Sequence, residues 1–265
     1  MRARYAVVGN PVSHSKSPQI HAEFARATGQ DLEYVRVEAP LEGFERTVEA
    51  FRAEGGNGLN VTVPFKEAAY RYCRILSPRA QAAEVVNTIA FSGAEIFGDT
   101  TDGVGLVADL TRNLGVRLAH TSVLLMGAGG AARGVIPALL EAGIARLVIA
   151  NRTVSRAVSL AKRFRVEACG YDELDGRGFD IVVNATAAGL ENEVPKLPPS
   201  VLGSGTLAYD MLYGRDTPFL AQARAAGARV SDGLGMLVEQ AAESFFIWRG
   251  VRPETRAVLE RLRGG

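Results

Sequence analysis

Three observations predict an α/β chain with mostly parallel sheets. Short apolar runs alternate with helical stretches from end to end, which is the rhythm of strands covered by helices. One such run leads straight into a glycine-rich turn. The 265 residues, 47% of them hydrophobic, can bury a substantial core and reach the length at which one domain commonly becomes two. In order, Tyr5–Val8 is expected as a buried strand, followed by a loop and a helix over 18–28 that opens on Pro18. Leu32–Val37 alternates as a strand, and 44–53 is helical until Gly55-Gly56. Leu59–Val63 is a third strand, stopped by Pro64, which cannot donate to a ladder. Two helical pieces, strands over 86–91 and 95–98, and a helix over 103–114 complete a first series. A second series opens with Ser122–Met126 and continues through strands at 146–150, 165–169, 181–185, 206–211 and 229–232. Helices over 236–249 and 253–262 close the chain. The expected domains are 1–101, completed by the helices of 237–265, and 102–236.

The charge balance is 30 basic against 29 acidic residues, net +1. It gives no electrostatic reason for a nucleic acid or an anionic membrane as partner. No window approaches the ~20 apolar residues of a membrane span, and the four apolar residues between Arg4 and Gly9 are too few for a signal-peptide core. The two cysteines, Cys73 and Cys169, form neither a disulfide framework nor a zinc cluster, favouring a cytoplasmic location. His14, His21 and His120 have no ligand partners at metal-binding spacing, so no metal is expected. Only four basic residues are lysines, at 16, 66, 162 and 196. In an arginine-rich chain each lysine invites a chemical reason. Monomer and homodimer both fit the sequence.

The strand ending at Met126 runs into Gly127-Ala128-Gly129-Gly130-Ala131-Ala132, a G-x-G-x-x-A turn at a strand-to-helix junction. The first glycine lets the chain turn, the second lets backbone approach a pyrophosphate, and the third position packs helix on strand. Free N–H groups at the helix start can then receive phosphates. The next strand ends in Asn151-Arg152-Thr153-Val154-Ser155-Arg156. An NAD site usually carries an acidic residue here to hold the ribose hydroxyls, whereas a 2′-phosphate calls for positive charge. Arg152 and Arg156, with the Thr153 hydroxyl, therefore point to NADP(H); two solvated surface arginines are the plainer alternative.

Four polar clusters fall where strand C-terminal ends are expected, the edge at which open α/β sheets bind ligands. In Gly9-Asn10-Pro11-Val12-Ser13-His14-Ser15-Lys16-Ser17-Pro18, Ser17 reads most simply as a helix N-cap followed by proline, while Ser15 and Ser17 would also suit a carboxylate. In Asn60-Val61-Thr62-Val63-Pro64-Phe65-Lys66, the lysine stands at a helix start. There the dipole disfavours its charged form, as suits a proton-transferring group, unless its tail simply reaches water. Asn87-Thr88 opens an otherwise apolar strand. Asp102, within Asp99-Thr100-Thr101-Asp102-Gly103, either caps a helix or orients Lys66. Gln240 lies between Leu237, Ala241 and Ser244 on one helical face, which places an amide within an apolar stripe, and a buried amide needs partners that a hydroxylated ligand could supply.

Taken together, these segments, with Asp210-Met211-Leu212-Tyr213 and Gly233 to Gln240, resemble the shikimate dehydrogenases through essentially the whole chain. The resemblance implies a substrate domain and a Rossmann-type doubly wound NADP-binding domain, with the active site in the cleft between them. It implies reversible NADPH-dependent reduction of 3-dehydroshikimate to shikimate, a step toward chorismate and the aromatic amino acids. Ser15 and Ser17 would bind the substrate carboxylate, with Tyr213 at that end of the pocket. Thr62, Lys66, Asn87, Asp102 and Gln240 would hold the ring hydroxyls, and Lys66 would be the acid/base with Asp102 as its partner. Gly127 to Ala131 would cradle the pyrophosphate and Asn151 to Arg156 the 2′-phosphate, while Met211 and Gly233 would flank the nicotinamide. The alternatives are a quinate/shikimate dehydrogenase of relaxed specificity and a non-catalytic NADPH-binding module. A folate dehydrogenase or glutamyl-tRNA reductase would share the cofactor turn but not the serine loop.

Overall fold

The computed structural model describes residues 2–186 and 197–264; Lys196 lies outside them. The chain divides into two compact units, Met1–Leu106 with Leu237–Gly265, and Val107–Met236.

The first unit is built on β1 (Ala3–Gly9), α1 (Ser17–Thr28), β2 (Leu32–Glu38), α2 (Phe44–Ala53), β3 (Gly56–Val61), α3 (Lys66–Tyr72), β4 (Ile75–Leu76), α4 (Pro78–Ala83), β5 (Thr88–Ser92), β6 (Glu95–Asp99) and α5 (Asp102–Ala108). Its six strands run in the order β2-β1-β3-β5-β6-β4. β1 pairs parallel with β2 and β3, and β5 pairs antiparallel with β3 and β6. β1 is apolar throughout its buried portion because a central parallel strand is covered on both faces. Helix α1 ends at Gly29, whose φ of 64° supplies the left-handed cap. The expected third strand is shifted: it starts at Gly56 and stops at Val61, and Gly56 belongs to the strand rather than to the helix stop. The two-residue β4 has no signal in the sequence because it is too short to show alternation.

The second unit contains a π-helical turn (Asp109–Asn113), β7 (Ser122–Met126), α6 (Gly130–Glu141), β8 (Arg146–Ala150), α7 (Val154–Phe164), β9 (Glu167–Cys169), β10 (Ile181–Asn184), β11 (Leu207–Asp210), α8 (Pro218–Ala225) and β12 (Arg229–Ser231). The sheet order is β12-β11-β10-β7-β8-β9, with parallel pairing between each neighbouring pair. This is a doubly wound sheet whose order reverses at β7, the switch point where such sheets bind ligands. The helix expected over 103–114 changes character at Asp109. There the buried Asp109 carboxylate accepts the Tyr209 hydroxyl at 2.6 Å. A Cβ at Gly235 would stand 1.9 Å from Asp109 Oδ1, so only glycine leaves room for the carboxylate.

The last helices, α9 (Leu234–Arg249) and α10 (Arg256–Gly264), supply most of the C-terminal part of the first unit. Trp248 of α9 stacks on Tyr5 of β1 at 4.5 Å and donates its indole N–H to the Ile89 carbonyl at 2.9 Å. Gly58 makes that approach possible, since a Cβ there would lie 2.6 Å from both Ile89 O and Trp248 Nε1. Each unit has its own core: Val8, Val48, Leu59, Val61, Phe65 and Ile89 in the first, Leu124, Met126, Val148, Val182 and Phe219 in the second.

Candidate active site

In the first unit the polar clusters converge at the C-terminal ends of β1 and β3 and the adjoining ends of β5 and β6. Lys66, at the first position of α3, donates from Nζ to Asp102 Oδ2. Both side chains are largely buried, 12% and 7% exposed. A lysine holding so buried a contact is not a solvated surface group with its tail in water. Asp102 opens α5, yet its carboxylate turns to the site: Oδ1 accepts from Asn87 Nδ2 at 2.9 Å while Oδ2 takes Lys66. A carboxylate gripped by an ammonium and an amide is fixed in rotation as well as position. One of the three ammonium hydrogens is thereby used, leaving two for a ligand oxygen.

Behind this pair lies a buried network absent from the sequence expectations. Asn87 Nδ2 also lies 2.9 Å from Thr101 Oγ1 and 3.1 Å from Gln240 Oε1, and Asn87 Oδ1 accepts the Thr101 N–H at 2.8 Å. Gln240 anchors its amide nitrogen on the Leu237 carbonyl at 2.8 Å. Ser244, one helical turn along α9, meets Thr88 Oγ1 at 2.8 Å, Thr101 Oγ1 at 3.2 Å and Asn60 Nδ2 at 2.9 Å. The place of Ser244 beside Gln240 on one helical stripe is the signal that marks it in the sequence. Asn60 in turn accepts the Tyr34 hydroxyl at 2.7 Å. Asp99, by contrast, is taken by Ser77 and by a bidentate contact from Arg79 at 2.8 and 2.7 Å.

The serine loop forms a second cluster. The N-cap position of α1 is Lys16, and no side chain caps the helix, which corrects the reading of Ser17 as an N-cap. Ser17 Oγ instead lies 3.1 Å from Ser15 Oγ, both side chains buried. Their paired hydroxyls form a small donor site at the start of a helix, where positive dipole favours an anion. Thr62 packs against Gly9, whose Cβ would fall 2.4 Å from the Thr62 methyl, so the loop after β1 and the end of β3 approach closely. Neither Thr62 nor the serines touch Lys66 directly among the described contacts.

In the second unit, Gly127 has φ of 107°, a region closed to most side chains, and donates its N–H to Ala150 of β8 at 2.8 Å. A Cβ there would meet the Ala185 carbonyl at 3.1 Å, whereas one at Gly129 would meet nothing within 4 Å. The turn is therefore tight at its first glycine and open at its second. That openness, at the N-terminus of the twelve-residue α6, fits a dinucleotide pyrophosphate. Ala128, Gly130 and Ala131 belong to the same turn and helix start, with Ala132 fully buried. Asn151 steadies the adjacent turn by donating to the Thr153 carbonyl at 2.9 Å. Arg152, Thr153, Val154, Ser155 and Arg156 are all exposed, and the Thr153 hydroxyl makes no cap to α7. Met211 and Gly233 lie together: the Gly233 N–H donates to Leu212 at 2.9 Å, and a Cβ on it would fall 2.3 Å from the Met211 carbonyl. Tyr213 is half-buried on the same segment. Among the described residues no group of three or more His, Cys, Asp and Glu could hold a metal, and no helix is long and apolar enough to cross a membrane.

Comparison with known proteins accounts for nearly the whole chain. Residues 7–89 match the shikimate dehydrogenase substrate binding domain, 109–192 the shikimate/quinate 5-dehydrogenase family, and 233–263 the shikimate 5′-dehydrogenase C-terminal domain. The NADP(+) shikimate dehydrogenase of Aromatoleum aromaticum is 58% identical, covering 98% of this chain and 96% of the relative. Among solved structures, an Ael1 enzyme from Pseudomonas putida superposes with a TM-score of 0.92 at 49% identity, covering 98% of each chain. The shikimate 5-dehydrogenase of Thermus thermophilus, in complex with NADP(H) and shikimate, gives 0.89 at 35% identity over 99% of each.

Proposed function

Because the chain belongs to the shikimate dehydrogenase family, we propose that its Lys66–Asp102 pair moves the proton in an NADP-dependent interconversion of 3-dehydroshikimate and shikimate. The observation that carries this reading is the buried contact of Lys66 with Asp102, itself held by Asn87. The first unit serves as substrate domain and the second as NADP-binding domain. NADP(H), when bound, supplies or accepts the hydride at the substrate C3. The protein then has one proton to manage at the C3 oxygen. In reduction the Lys66 ammonium donates it as the carbonyl oxygen gains charge; in oxidation the amine takes it from the hydroxyl. Asp102 keeps Nζ aimed and balances its charge.

Asn87 and Gln240 bind ring hydroxyls with amides already fixed by Thr101 and Leu237, so little rotamer freedom is lost on binding. Thr62 contributes its hydroxyl, Ser15 and Ser17 take the carboxylate, and the family resemblance assigns Tyr213 to the carboxylate as well. Gly127 to Ala131 receive the pyrophosphate through backbone N–H groups. Asn151 to Arg156 receive the 2′-phosphate, and Met211 and Gly233 flank the nicotinamide. Arg152 and Arg156 favour NADP over NAD, which weighs against a relaxed quinate-type enzyme. The retention of Lys66, Asp102 and Gln240 in one network weighs against a non-catalytic module. With both cysteines buried and unpaired, a reducing cytoplasm is the expected compartment.

The direct test mixes the protein with shikimate and NADP⁺, then with quinate or NAD⁺, and follows nicotinamide absorbance. Strong turnover only with the first pair is expected; none with shikimate and NADP⁺ would overturn the reading.

A further inference from the structure

We propose that Arg36 is the charged half of the carboxylate site, holding the serine loop and supplying the positive charge that selects an anionic substrate. This rests on the assignment of Ser15 and Ser17 to the substrate carboxylate. A pair of hydroxyls can donate hydrogen bonds but carries no charge, so by itself it distinguishes a carboxylate poorly from a neutral ester or amide. Arg36 lies near the C-terminal end of the edge strand β2, opposite Val7 of β1. Its Nε and Nη2 both donate to the backbone carbonyl of Ser15, at 2.9 and 2.5 Å.

That placement differs from the carboxylate-bound arginines of the molecule. Arg4, Arg79, Arg146, Arg224 and Arg252 each meet a carboxylate. Arg36 makes no ion pair among the described residues, so its charge is not neutralised by a direct partner. The fork grips the residue whose hydroxyl faces Ser17, and Asn10 ties the same loop to the Ala39 carbonyl at 2.9 Å. Arg36 is an exposed residue, and its guanidinium has donors left over after the carbonyl is satisfied. A unit charge near a carboxylate in a partly screened setting is worth about tenfold in binding.

The test compares wild type, R36Q and R36K at saturating NADP⁺, with shikimate and its neutral methyl ester as paired substrates. R36Q is expected to raise the KM for shikimate about tenfold while kcat and the KM for NADP⁺ stay within about twofold. R36K, which keeps charge but not the planar fork, should recover most of the loss. With the ester the penalty should shrink to the part owed to loop positioning, and with shikimate it should shrink as ionic strength rises from about 0.05 to 0.5 M. An equal penalty on ester and acid, a penalty indifferent to salt, or an R36Q variant within about twofold of wild type would overturn the proposal. Wild type inactive on shikimate would instead overturn the functional reading, a distinct result.

Discussion

The polar site of the first unit and the glycine turn of the second are built in opposite ways. In the first, side chains hold side chains: Lys66 is held by Asp102, Asp102 by Asn87, and Asn87 is backed by Thr101, Gln240 and Ser244. In the second, backbone geometry shapes the turn, and the charges expected to meet phosphate stand exposed on an adjoining loop. A proton must be delivered to one atom, and that demands a fixed donor. A phosphate can be met by several N–H groups and a mobile guanidinium at much lower geometric cost. Substitutions should therefore cost catalysis in one unit and cofactor affinity in the other.

The largest effect falls on Lys66. Lys66→Ala should lower kcat by about 10²–10⁴-fold, the range of a positioned acid/base, while the KM for NADP⁺ hardly moves. Ordinary turnover by the variant would break the contrast at its strongest point. Asp102→Asn keeps the shape but removes the charge beside Nζ, and should cost less if orientation is the main contribution of Asp102. The double variant R152Q/R156Q should act on the other side: about 10²-fold in the KM for NADP⁺, kcat nearly intact, and little change with NAD⁺. Equal losses with both coenzymes would mean that the arginines do not read the 2′-phosphate.

The two glycines of the turn divide that prediction further. Gly129→Ala adds a methyl to open space in the extended region, so the fold should be kept and only NADP affinity should fall. Gly127→Ala forces a side chain into φ of 107°, and should cost on the order of 1–3 kcal/mol of stability as well. Thermal unfolding alongside NADP⁺ titration separates the two; identical behaviour would show that the turn has no tight and open ends.

The same contrast explains what is legible in the chain alone. The cofactor turn can be read because its requirement is local: φ, the absence of a Cβ and a helix start are written in consecutive residues. The residues proposed for the site stand out as polar outliers at strand ends, but their mutual contacts do not, since Asn87 and Gln240 meet across 153 positions. Ser17 reads as a cap in the sequence because Ser-Pro is also helix-start chemistry; only the position of Ser15 shows where its hydroxyl goes. Asp109 and the π-turn give no signal, because the groups that meet Asp109, the Tyr209 hydroxyl and the space at Gly235, lie far along the chain.

The smallest effect on catalysis concerns acid stability, and it too separates the units. His21 of α1 is fully buried, stacked on Tyr34 at 4.2 Å with Phe24, Phe245 and Trp248 around it. Neither ring nitrogen makes a hydrogen bond of good geometry. Burial pushes the imidazole from its ordinary 6.5 down to about 3, the Asn60 amide offsetting only part of this. Above pH 6.5 the ring is neutral folded and unfolded, and contributes no pH dependence. Below it the unfolded chain takes up a proton that the folded unit refuses, so stability falls by about 1.4 kcal/mol per pH unit until pH nears the folded value. In the second unit burial instead raises the Asp210 carboxyl, so the folded form protonates first and acid relieves a cost. Hydrogen exchange between about pH 6.5 and 4.5, corrected for intrinsic rates, should show β1 and α1 losing protection before β7 and α6. His21→Phe should remove much of that difference. Parallel loss in both units, unchanged by the substitution, would show that His21 is not held neutral and that acid does not distinguish them.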